Sequence, residues 1–99
     1  MKRLVLLALV GSTTAMASGM DSMKYGTLVE LSTGVCKNYS TPSINDRAKE
    51  LKATIQLESG MVENGKQYAI SEQKTFEKQG VPREQFCELF ESEVKQGNY

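Results

Sequence analysis

Apolar positions along the chain fall into one unbroken run near the start and four later runs with helical spacing. The first run, residues 4–10, follows Lys2 and Arg3 and gives way to small residues ending in Ala15-Met16-Ala17. Two cations, a short apolar stretch and an A-x-A site are the grammar of a cleaved export signal, with cleavage after Ala17. The run is far short of the roughly twenty residues needed to cross a bilayer, and no later stretch is more apolar. A leader of 17 residues removed from 99 leaves 82, enough for one domain. The expected organisation is a signal peptide at 1–17, a flexible lead at 18–24, a single helical domain at 25–96 and a C-terminal tail at 97–99.

In the first helical run Tyr25, Leu28, Val29, Val35, Cys36 and Tyr39 recur largely at spacings of three and four, one face of a helix. Asp21 or Ser22 is placed to cap its start. Gly26 and Gly34 interrupt it, each costing about 1 kcal/mol relative to Ala in a helix interior, so its early turns are expected to fray. Pro42, flanked by Ser40, Thr41 and Ser43, breaks the pattern and starts a second helix. Ser43 and Asp46 form a capping pair there, and Ile44, Ala48, Leu51 and Ile55 make the clearest amphipathic stripe in the chain, with Gly60 as its end.

Residues 61–70 admit two readings, because Asn64-Gly65 suits both a hairpin turn and the approach to a helix. The residues around it do not alternate cleanly and Asn64 with Gln67 makes a capping pair, which favours a helix over 66–79 with Tyr68, Ala69 and Phe76 on its apolar side and Gly80 as its stop. The last helix opens at Val81-Pro82, buries Phe86, Leu89, Phe90 and Val94 with Cys87 beside them, and ends at Gly97. The fold class expected is all-α: a small bundle of about four short helices closed by one disulfide.

Composition sharpens this picture at three points. Cys36 and Cys87 are the only cysteines. Widely separated, without a C-x-x-C pattern and in an exported chain, they are expected to pair structurally, removing roughly 4 kcal/mol of unfolded-state entropy from a domain too small for a large core. Charge is nearly balanced: loss of Lys2 and Arg3 from 12 cations leaves 10 against 12 acidic residues. That is no nucleic-acid or membrane-surface footprint. There is no histidine, which removes the commonest general base, the Ser-His and Cys-His nucleophile pairs and the usual zinc ligand. No cofactor or metal site is expected.

The remaining chemistry is thin. Glu84, Glu88 and Glu91 stand at spacings of four and three on the last helix. They read first as a solvated face, with Glu91 balanced by Lys95, second as a docking surface for a basic partner, and last as catalytic carboxylates, which would need to face one another across a cleft. Tyr99 follows Gly97-Asn98 in an expected mobile tail and is a candidate recognition residue, whereas Tyr25, Tyr39 and Tyr68 read as core-edge packing. Met20 and Met23 are too few soft ligands for a metal and read as part of the lead. Asn38-Tyr39-Ser40 matches a glycosylation sequon that a bacterial export signal makes meaningless.

In size, helical content and long single-disulfide loop the chain resembles the small acid-activated periplasmic chaperones. The segments Gly34-Val35-Cys36-Lys37-Asn38-Tyr39 and Gln85-Phe86-Cys87-Glu88-Leu89-Phe90 carry no motif of that family, so no site residue is carried over. By subtraction, the leading expectation is a secreted, periplasmic, non-enzymatic protein-binding module, such as an inhibitor, immunity or accessory protein docking on another envelope protein. A stress chaperone opened by acid is the alternative, and a cell-wall enzyme working through carboxylates the last. Glu84, Glu88, Glu91 and Tyr99 are the docking candidates.

Overall fold

Leu31 and Cys36 are five residues apart, which in an α-helix would place them roughly 140° apart around the axis, yet both are completely buried. The computed structural model, which describes residues 19–99, resolves this: the first helix, α1, is α-helical over 19–30 and passes directly into one π-helical turn, Leu31–Val35. There the Cys36 N–H donates to the Leu31 carbonyl at 2.7 Å. One extra residue per turn brings the fifth residue back under the first, so Cys36 regains the core face and meets Cys87. Their Cα atoms are 5.9 Å apart and the disulfide joins α1 to α4.

Three further helices follow: α2, Pro42–Thr54; α3, Ser59–Lys78; and α4, Arg83–Lys95. The described residues form a helical bundle with no strand. None of these helices is long and apolar enough to cross a membrane. Leu28, Leu31, Ile44, Leu51, Ala69, Phe86 and Val94 pack around the disulfide, each large side chain contributing about 1.5–3 kcal/mol of transfer free energy.

The segment expected as a flexible lead differs from that expectation from residue 19 onward: it is helical, and Ser22 within it is fully buried. The Ser22 hydroxyl accepts the Glu58 N–H at 3.0 Å, fastening the entrance of α3. Gly26, expected to loosen α1, fits it against α3 instead. A Cβ at Gly26 would stand 2.7 Å from the Val62 carbonyl carbon, and one at Gly65 would stand 2.8 Å from Thr27 N. The two backbones therefore touch, and the Thr27 hydroxyl lies 3.0 Å from the Gly65 carbonyl across the crossing. Residues 1–17, expected as a signal peptide, lie outside the described residues.

Helix boundaries differ in three places. The hairpin at Asn64-Gly65 does not form, and both residues are interior to α3, so Asn64 and Gln67 cap nothing. Gly60 does not end α2, which stops at Thr54 where Ile55 turns extended to tuck its side chain against the core. Ser43 and Asp46 do not cap α2 either; its N-cap is Thr41, with no side-chain cap hydrogen bond. The stops at Gly80 and Gly97 do form, at φ +86° and +85°. In each, the next residue's N–H reaches back five positions, Val81 to Phe76 at 2.9 Å and Asn98 to Glu93 at 3.0 Å, the Schellman closure that a left-handed glycine permits.

Candidate functional site: an aromatic-floored groove with an acidic rim

The amino end of α2 has orphan N–H groups and the positive end of the helix dipole, and without a local cap it takes its acceptor from elsewhere. Glu91 of α4 supplies it. Its two carboxylate oxygens accept the Ser43 N–H at 2.8 Å and the Ile44 N–H at 3.0 Å. This accounts for one of the four nominated residues: Glu91 belongs to the α2–α4 joint, not to a solvated face, and forms no ion pair with Lys95 among the described residues. Glu84 and Glu88 are exposed on α4. All three carboxylates stand on one helix.

Tyr99 is not splayed into solvent. The Schellman turn at Gly97 swings it back so that its ring packs against Phe90, centroids 5.1 Å apart and near edge-on. Arg47 donates to its backbone carbonyl at 3.1 Å. Burial pushes the Tyr99 phenol above its ordinary pKa; a hydrogen bond with Thr27 opposes this, while Tyr68 and Glu72 reinforce it.

Phe90 is the third ring of a ladder. Phe76 meets Phe86 edge-on at 5.2 Å, Phe86 meets Phe90 at 5.8 Å, and Phe90 meets Tyr99. Side chains one turn apart on α4 and a facing residue of α3 generate the ladder, which ties the two helices together with about 0.5–1.5 kcal/mol per ring pair beyond simple burial. Beneath it the turn between α3 and α4 is closed by a relay: Arg83 donates to Gln73 at 3.4 Å, and the buried Gln73 amide donates to Glu77 at 3.0 Å.

The three phenylalanines of the ladder are the floor of an open groove of about 320 Å³ between α3 and α4, with Tyr68 and Leu89 on its walls and Glu72 and Glu93 as its only charged lining among the described residues. Leu89 was expected in the buried stripe but is 48 % exposed, and Tyr68 is 41 % exposed. Tyr68 also walls a second hollow, of about 200 Å³, lined by Met20, Met23, Lys24 and Tyr99 among others. Met20 there is 61 % exposed. Two adjoining hollows thus form one apolar strip from the start of α1 to the middle of α4.

The strip's principal residues, Tyr68, Leu89, Glu72 and Glu93, escaped the sequence reading; only Tyr99 at its junction was nominated. One signal was available for Leu89. With Cys87 taken as the centre of the buried arc of α4, Leu89 lies roughly 160° away around the helix, too far to share the core. Among the described residues no group of three His, Cys, Asp or Glu is placed to hold a metal ion. Compared with models of protein families, with curated proteins and with solved structures, the chain matches none.

Proposed function

We propose that this chain is an exported, non-enzymatic protein-binding module, an inhibitor, immunity or accessory protein that seats an apolar segment of an envelope protein on the α3–α4 strip. The observation that carries the reading is where the exposed apolar side chains lie. Among the described residues four large hydrophobic side chains are exposed, and three of them, Met20, Tyr68 and Leu89, gather along this one strip. Scattered single apolar residues on a surface need no explanation, whereas a contiguous patch beside a rigid aromatic floor is the usual form of a docking site. Carboxylates of Glu72 and Glu93 at its edge select a partner whose apolar anchor is flanked by Lys or Arg. Export is supported by the leader pattern of residues 1–17 and by the disulfide, which persists in oxidising compartments.

The test is capture from envelope extract with the oxidised protein as bait, beside Leu89→Glu and, as an exposed control off the strip, Glu84→Gln. One stoichiometric partner retained by the parent and by Glu84→Gln but lost with Leu89→Glu is the expected result. Capture indifferent to Leu89→Glu refutes the strip as the docking site.

The acid-responsive chaperone remains the second reading, and Glu91 is the observation in its favour: a single carboxylate latches α2 to α4. Circular dichroism and apolar-dye binding from pH 7 to pH 2 decide it. A near-ultraviolet signal retained at pH 2 with no dye bound removes that reading.

A further inference from the structure

The π-turn that returns Cys36 to the core also widens α1 beside α2. Between them lies a groove of about 430 Å³ that shares no lining residue with the α3–α4 strip, within the size range of small-molecule sites. Its apolar lining is Tyr25 and Val29 of α1 and Ala48 of α2. Two π-turn residues, Ser32 and Thr33, line one side, and Lys49 and Lys52 line the other.

We infer that this groove is a binding site for a small amphiphilic anion, a carboxylate carried on a short apolar chain. Charge selects the anion. Among the described residues, Lys49 and Lys52 are the only charged ones lining the groove, and neither enters an ion pair there, where the one ion pair joins Arg47 to Glu50. The strip on α3 and α4 has the opposite sign along its larger hollow, so the molecule sorts ligands between its two concave surfaces. Hydrogen-bonding capacity fits as well. Thr33 commits its proton to the Val29 carbonyl at 2.8 Å, while Ser32 makes no side-chain hydrogen bond among the described residues and keeps a donor for a carboxylate oxygen. The π-turn that ends α1 sets both hydroxyl residues at the groove.

Length selects a short chain over a partner helix. Asn45 to Lys52, the α2 side of the groove, spans about two helical turns, roughly 10 Å. Docked there, the apolar chain covers Tyr25, Val29 and Ala48 while the head group meets the two ammonium groups.

The experiment is an amide-resolved NMR titration of the oxidised protein with decanoate below its micellar range, beside decanol and decyltrimethylammonium. Saturable shifts at Tyr25, Val29, Ser32, Thr33 and Ala48 with decanoate, and weaker binding of decanol and of the cation, are expected. Replacing both cations, Lys49→Gln with Lys52→Gln, should weaken decanoate about fivefold, the factor that two exposed ion pairs supply. Both lysines are exposed, and an unchanged near-ultraviolet spectrum verifies that the fold is intact. The inference is overturned by equal binding of decanol and decanoate, by shifts centred on Tyr68 and Leu89, or by no saturable shift. It is equally overturned if an acidic peptide binds this groove where decanoate does not, or if dilution alone produces the shifts, which would make the occupant a second copy of the chain.

Discussion

Gly65→Ala should be more harmful than its chemistry suggests. In a helix interior Ala is favoured over Gly by about 1 kcal/mol, so on an open face of α3 the change would stabilise. At position 65 the new methyl group would stand 2.8 Å from Thr27 N and 2.9 Å from the Met23 carbonyl carbon, and closer still to its oxygen. Comfortable non-bonded contacts between carbon atoms need about 3.5–4.0 Å. The obstructing atoms are backbone and cannot rotate aside, so α1 and α3 must part by roughly 1 Å. Overpacking of this kind costs about 1–3 kcal/mol, and parting also stretches the Thr27–Gly65 hydrogen bond, worth about 1 kcal/mol. After the propensity gain is subtracted, the net loss is about 1–3 kcal/mol. Gly60→Ala is the internal control. It lies on the same helix with nothing within 4 Å of its Cβ position, and should be neutral or stabilising by a few tenths of a kcal/mol. Urea unfolding followed by circular dichroism gives both values. If the two variants agree within about 0.5 kcal/mol, the scatter of innocuous substitutions, the helices do not touch at Gly65 and the reasoning fails. Gly26→Ala should couple to Gly65→Ala, because helices already parted by one methyl group accommodate the second at lower cost.

Glu91→Ala removes the acceptor for two N–H groups of α2 and should cost about 1–2 kcal/mol, the range of helix N-caps, with Glu91→Gln losing about half of that; faster amide exchange confined to the first turn of α2 would locate the effect. For Tyr99 the folded chain holds the phenolic proton more tightly than the unfolded one, its pKa being raised chiefly by burial. That contribution to stability is fully present below the unfolded value near 10 and is lost as pH rises through the folded value. Tyr99→Phe should therefore show a weaker fall in urea midpoint across the alkaline range than the parent, and identical slopes would refute the assignment. Cys36→Ser with Cys87→Ser opens a loop with a sequence separation of 51 and should remove about 4 kcal/mol. A domain of this size is stable by only about 4–12 kcal/mol, so the urea midpoint should fall by a third or more.

Periodicity made the fold class legible, and the places where it failed share one cause: contacts between elements overrode local preference. Ser43 and Asp46 have the right types for a local cap, but Glu91 brings a carboxylate with two oxygens from another helix, and no pattern within α2 reveals it. Asn64-Gly65 has turn chemistry, yet Gly65 is needed for the absence of its Cβ at a backbone crossing. Gly26 carried the same ambiguity in α1, where the gain from close packing outweighs a propensity cost of about 1 kcal/mol. The π-turn left a trace that could have been read. Cys36 had to reach the core to pair with Cys87, and Leu31 five residues earlier was apolar, a combination that a regular α-helix cannot bury on one side.

The apolar strip follows from the same backbone devices. Met23, whose carbonyl carbon a Cβ on Gly65 would approach within 2.9 Å, and Tyr68, one turn beyond Gly65, are walls of the smaller hollow, so the close crossing of α1 and α3 fixes the spacing between those walls. At the other end, the left-handed Gly97 returns the chain so that Tyr99 lands on Phe90, while the Asn98 amide donates to the Glu93 carboxylate at 2.8 Å and holds that rim residue in place. Residues far apart in the sequence are thereby gathered by two glycine-dependent contacts and one ladder of rings. None of these contacts requires Leu89 or Tyr68 to be apolar, and polar residues at both positions would leave the core unchanged while improving solubility. The core therefore does not account for their apolar character, which is why the binding proposal rests on them and not on the acidic residues of the same helix.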